Sequence, residues 1–180
     1  MSQWLSEEGV NYCCIQRLDT PSGQLVITSY TVTNKQDTYS VAYVDYMESL
    51  FTQKDIKTIL DQSCAGAVQN ADAQSDKQED FLFAGRYPGR HLYYSGVERK
   101  MKEHLGKVFF GRADIIIVKP RLYQIGYLSS NKDDLSKPEV LAFFASFKIV
   151  SKDVGNTRPN YLAPNHAFNP DAAACGGTAS

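Results

Sequence analysis

The chain is poor in the residues from which metal and redox centres are built. Its 180 residues include three histidines and four cysteines. His91, His104 and His166 show no His-x-His or His-Glu-x-x-His spacing, so no metal and no cofactor is expected. Cys13, Cys14, Cys64 and Cys175 are irregularly spaced and form no Cys-x-x-Cys pair, which argues against a zinc knuckle. Long apolar runs are missing too. The longest aliphatic run, Ile115 to Val118, is far too short to span a bilayer. No charge sign dominates: the formal net charge is −1, which gives no global attraction to nucleic acid or acidic lipid. The first residues, Met1 to Glu8, offer neither a basic n-region nor an apolar h-region. The chain as given therefore reads as cytoplasmic; an exported chain whose signal had been removed would read the same.

Catalytic signatures are equally sparse. There is no Gly-x-Ser-x-Gly elbow, no Ser-x-x-Lys and no glycine-rich loop between a strand and a helix. Glu7-Glu8 and Asp133-Asp134 have no companion that would make an acid–base pair. Cys13 and Cys14, adjacent in a predicted strand, point to opposite faces. Cys64 falls on the apolar stripe of a predicted helix, where a thiol is inert.

What is present is alternation. Gln24 to Thr33 and Tyr39 to Met47 are β-branched and aromatic runs around the polar link Asn34 to Asp37, and they predict an antiparallel hairpin. Thr52-Gln-Lys-Asp55 has the form of a capping box. Ile56, Ile59, Leu60, Cys64, Ala67, Val68 and Ala71 follow at helical spacing. Asp72 to Asp80 reads as a polar, acidic loop. Tyr87-Pro-Gly-Arg90 predicts a type II turn between two strands, or a bulge in one long strand. Val97, Met101 and Leu105 predict a short helix ended by Gly106. Lys107 to Phe110 and Asp114 to Val118 read as strands; Lys119-Pro-Arg121 turns the chain into Leu122 to Leu128. Ser136-Lys-Pro-Glu139 predicts a second capped helix with Val140, Leu141, Phe144 and Phe147 inward, followed by a short strand to Val150. Strands outnumber helices, which predicts an α+β fold, a largely antiparallel sheet with helices on its faces. The domain is expected over residues 1–150, with a loosely docked tail over 151–180.

Charge is segregated along the chain. Arg86 to Arg121 holds nine Lys or Arg against three acids; Asp45 to Asp80 holds eight acids against three lysines. The basic block is interleaved with aromatics, a composition suited to protein interfaces. Arg86, Tyr87, Arg90, His91, Arg99, Lys100, Lys102, Arg112 and Arg121 are the candidate partner-binding residues, and the expected partner is another protein with an acidic surface. Two alternatives stand beside this reading. One is a small hydrolase or ligand-binding enzyme that uses Cys64 or His91. The other is nucleic-acid binding through residues 86–121.

Gly85-Arg-Tyr-Pro-Gly-Arg90, Arg112 before Ile115 to Val118, Arg121-Leu-Tyr-Gln-Ile125 and Ser146-Phe147 occur in an order that resembles the PsbP/Mog-type superfamily. That superfamily includes the extrinsic photosystem II subunit PsbP, the Ran-binding import factor Mog and bacterial relatives. The resemblance covers about Val10 to Val150. It departs where His91 replaces the acid that follows Pro-Gly-Arg in the family. It implies an α-β-α sandwich around an antiparallel sheet, and a non-enzymatic assembly or accessory role exercised through protein partners.

Overall fold

The structure, a computed structural model, describes residues 10–20, 23–34, 37–46, 51, 55–97 and 106–150. Seven strands and two helices are followed below: β1 (Val10–Thr20), β2 (Gly23–Asn34), β3 (Asp37–Asp45), α1 (Ile56–Asn70), β4 (Ala73–Phe83), β5 (Tyr87–Val97), β6 (Val108–Val118), β7 (Arg121–Ser129) and α2 (Pro138–Ser146). A 3₁₀ turn, Lys132–Ser136, precedes α2. The strands form one sheet in the order β1-β2-β3-β7-β6-β5-β4, and every neighbouring pair is antiparallel. The fold is α+β. By its contacts the chain divides into Met1–Ala145 and Ser146–Ser180. Among the described residues no helix is long and apolar enough to cross a membrane.

Alternation sorts the side chains to two faces. One face carries Val44, Leu92, Tyr94, Ala113, Ile115, Ile117 and Leu122, which cluster with Ile59, Leu60 and Cys64 of α1. The opposite face carries Ile116, Ile125 and Tyr127, all nearly inaccessible. There Tyr39 meets Phe143 of α2 edge-on at 5.0 Å, and Tyr127 lies 4.9 Å from Tyr39. The central strands are thus covered on both sides, as their apolar runs require.

The structure moves several element boundaries from where local signals put them. Asp55 caps α1, its carboxylate accepting from the Thr58 amide at 2.7 Å; Thr52 lies outside the described residues. Ser136 lies in the 3₁₀ turn, where its hydroxyl donates to the Asp133 carbonyl. Pro138 opens α2, and the first helical amide bond runs from Leu141 to the Lys137 carbonyl. Of the stripe expected in α2, Val140 and Phe144 are buried but Leu141 is exposed. Residues 147–150 form no strand. Asp72 to Asp80 is not a loop: from Ala73 it is β4, a polar strand at the sheet edge, where exposure removes the need for apolar alternation. Val108 to Val118 is one strand rather than two.

The Pro-Gly step is also displaced from the turn. The chain reverses at Ala84-Gly85-Arg86, where Ala84 and Gly85 have φ of 49° and 69° and the Arg86 amide bonds the Phe83 carbonyl. Positive φ at two successive positions is the mark of a primed hairpin turn. Pro88 and Gly89 lie inside β5, paired with Leu82 and Phe81. Gly89 is required for space: a Cβ there would sit 2.8 Å from the Phe81 ring and 2.9 Å from the Ile115 carbonyl. The bulge in this hairpin falls between Ser75 and Lys77 of β4, not at Pro-Gly. The helix expected over Val97 to Gly106 lies outside the described residues except at its ends; Val97 closes β5.

Candidate functional site

The candidate arginines are dealt to different places. Arg90 and Arg112 lie on adjacent strands but point to opposite faces, because Arg90 follows the parity of Leu92 and Arg112 that of Asp114. They cannot converge on one ligand.

Arg90 is 5% exposed and lies beside α1. Its Nε donates to Asp80 of β4 at 2.6 Å, and Nη1 donates to Asp61 of α1 and to Gln78 at 3.3 Å. The guanidinium holds the Asp80 carboxyl below the usual carboxylate range, chiefly through that hydrogen bond. The aspartates in turn raise the arginine's own proton affinity. Cys64 is 1% exposed in the same corner. Burial pushes its thiol up, Asp61 and Asp80 add to that, and Arg90 opposes it. A raised thiol pKa lowers the thiolate fraction, the reactive form. A shallow space of about 590 Å³ adjoins, lined by Asp61, Cys64, Val68, Ser75 and Gln78.

His91 occupies the other face, so Cys64 and His91 are separated by the sheet and form no nucleophile–base pair. His91 Nδ1 lies 2.8 Å from Asp114 Oδ1. Arg112 grips the same carboxylate with two bonds, 3.0 and 3.1 Å, and approaches His91 Nδ1 at 3.4 Å. Phe81 stacks on the imidazole at 3.9 Å with the planes 2° apart. The Arg112 guanidinium lies 4.1 Å from the Phe144 ring. The cluster is a closed lattice of charge and ring contacts that ties β4, β5, β6 and α2 together.

Arg121 stands toward the other end of that face. It is bidentate to Asp45 at 2.5 and 2.8 Å. Its guanidinium lies 4.4 Å from the Tyr43 ring and 5.8 Å from the Tyr123 ring. Arg86 sits in the β4–β5 turn, 4.5 Å over Tyr87. Arg99, Lys100 and Lys102 lie outside the described residues.

The two charge blocks are therefore partners in space. Asp45, Asp61 and Asp80 of the acidic block bind Arg121 and Arg90 of the basic one. Among the described residues no group of three or more His, Cys, Asp or Glu is placed to hold a metal ion.

Sequence reasoning missed the row that crosses this second face. Strand register aligns Ile15 with Thr28, Thr28 with Tyr43, Tyr43 with Tyr123 and Tyr123 with Ile116. Beside it, Cys13 aligns with Tyr30. Ile15 is 62% and Tyr30 51% exposed, while Tyr43 and Tyr123 are half-buried. Alternation within each run was visible; which residues share a row depends on register, which no single strand encodes.

No family model matches the chain, and no curated protein matches it. A solved structure of a Pseudomonas aeruginosa protein of unknown function, PA94, is similar at 15% identity, with a TM-score of 0.42. The match covers 76% of this chain and 96% of that one.

Proposed function

We propose that the chain is a non-enzymatic binding or assembly module that holds a protein partner on the sheet face crossed by Ile15, Tyr43 and Tyr123. One observation carries the reading: Arg121 lies against Tyr43 and Tyr123 on a face where Tyr30 and Ile15 are exposed. Tyrosine and arginine are enriched in binding hot spots, and tyrosine supplies large contact area at low entropic cost. The α-β-α sandwich of the PsbP/Mog type is the finer fold reading. Its support is that α1 and α2 contact opposite faces of an antiparallel sheet and that Arg121-Leu-Tyr-Gln-Ile125 lies within β7.

The test is a comparative pull-down from the native host. Tyr43→Ala and Tyr123→Ala are expected to lose a partner that wild type retains by at least tenfold, whereas Arg86→Ala retains it. Equal capture by all variants rejects this face. Rapid, selective alkylation of native Cys64 at neutral pH would instead favour the thiol-enzyme alternative.

A further inference from the structure

The two edges of the sheet are built differently. β4, at one edge, exposes Asp76, Lys77, Glu79 and Asp80 and is bulged between Ser75 and Lys77. Charge and bulge both block the addition of another strand. β1, at the other edge, runs from Val10 to Thr20 without a proline, and its register with β2 is unbroken. Among the described residues no strand pairs with its outer side. Ile15, at its midpoint, is exposed, and so is Tyr30 on the neighbouring strand.

The hydrogen-bond phase of β1 follows from its turn. Thr20 and Gly23 close a two-residue hairpin link, and a closing pair exchanges backbone bonds. Counting back, Leu18, Gln16 and Cys14 bond β2. Arg17, Ile15 and Cys13 therefore aim their N–H and C=O groups outward.

We propose that β1 pairs antiparallel with β1 of a second copy, about a two-fold axis at Ile15, so that one sheet runs through both chains. An axis at Ile15 matches the whole strand to itself, Val10 to Thr20. It sets Ile15 on Ile15 and Arg17 opposite Cys13 of the second copy. Charge selects this register: an axis at Arg17 would oppose two like charges and shorten the ladder. The net charge of −1 imposes no long-range repulsion between copies. The ladder is about 35 Å long, a narrow contact that predicts a weak, concentration-dependent dimer.

The proposal stands on the backbone edge of β1; it shares Ile15 with the partner-binding face, and Tyr43→Ala separates the two. Sedimentation of the full chain from about 1 to 200 μM is expected to show a dimer that dissociates on dilution. Ile15→Pro removes one outward N–H without touching the β2 ladder, and Ile15→Lys sets two charges on the axis; each is expected to weaken dimerisation at least tenfold. Circular dichroism and thermal melting establish that each variant is folded. Should the proline variant fail to fold, the lysine variant and a crosslink decide. Arg17→Cys is expected to form an intermolecular disulfide with native Cys13, identified by mass spectrometry and lost in Cys13→Ser. Tyr43→Ala, which reports on the face, leaves the dimer intact. A wild type that stays monomeric throughout overturns the proposal and leaves the edge to a foreign strand. A dimer indifferent to both Ile15 variants overturns it equally.

Discussion

Among single residues, Gly89 and Gly111 each leave room for an aromatic ring from a neighbouring strand. Gly89 follows a proline and invites a turn, yet its work is to admit the ring of Phe81, which then stacks on His91. The same logic holds at Gly111, where a Cβ would meet the Tyr94 ring at 2.5 Å. Gly111→Ala is therefore expected to cost about 1–3 kcal/mol, the range for forcing an extra carbon into a packed site. Chemical denaturation measures it; a neutral result would show that the ring moves aside freely. Asp114 was legible as a strand residue, but Arg112 fell in the gap between two predicted strands that the structure joins as β6. The third member of their cluster, His91, was not legible as such, because it arrives from the next strand by register.

Elements were legible where one period persisted. α1 and β7 follow from unbroken apolar spacing; β6 reads as two strands because its spacing breaks at Gly111 to Ala113, and β4 carries no such signal, its strand character coming from pairing with β5. What joins α1 to the β4–β5 hairpin beyond apolar contact is Arg90 of β5, bound to Asp61 of α1 and Asp80 of β4. Arg90→Ala is expected to destabilise the fold by about 2 kcal/mol, since hydrogen bonds to charged groups are lost while the aspartates regain water. Hydrogen exchange should show the loss of protection first in α1. Unchanged protection there would mean that apolar packing alone holds the helix.

For the whole molecule, buried tyrosines and paired aspartates bound the pH range of stability. Burial pushes Tyr94 up to about 12 and also raises Tyr46 and Tyr127. A folded pKa above the unfolded value of about 10 gives stability that is complete below that pH and lost as pH climbs toward 12. Asp80 and Asp134 are shifted the opposite way, Asp80 chiefly by Arg90 and Asp134 chiefly by Lys137. Their contribution is present above the ordinary carboxylate range and lost as pH falls through their lowered values. Denaturation midpoints should form a plateau that declines on both sides, and Tyr94→Phe should flatten the alkaline decline. An unaltered alkaline slope would remove Tyr94 from the account.

The unequal edges of the sheet set a limit on assembly size. If each chain offers β1 and guards β4 with charge and a bulge, association through the open edge is isologous and uses that edge up. Growth then closes at two copies instead of continuing into a fibril, so the polar strand that resembles a loop in sequence acts as the stop that keeps a bare edge from becoming a polymer.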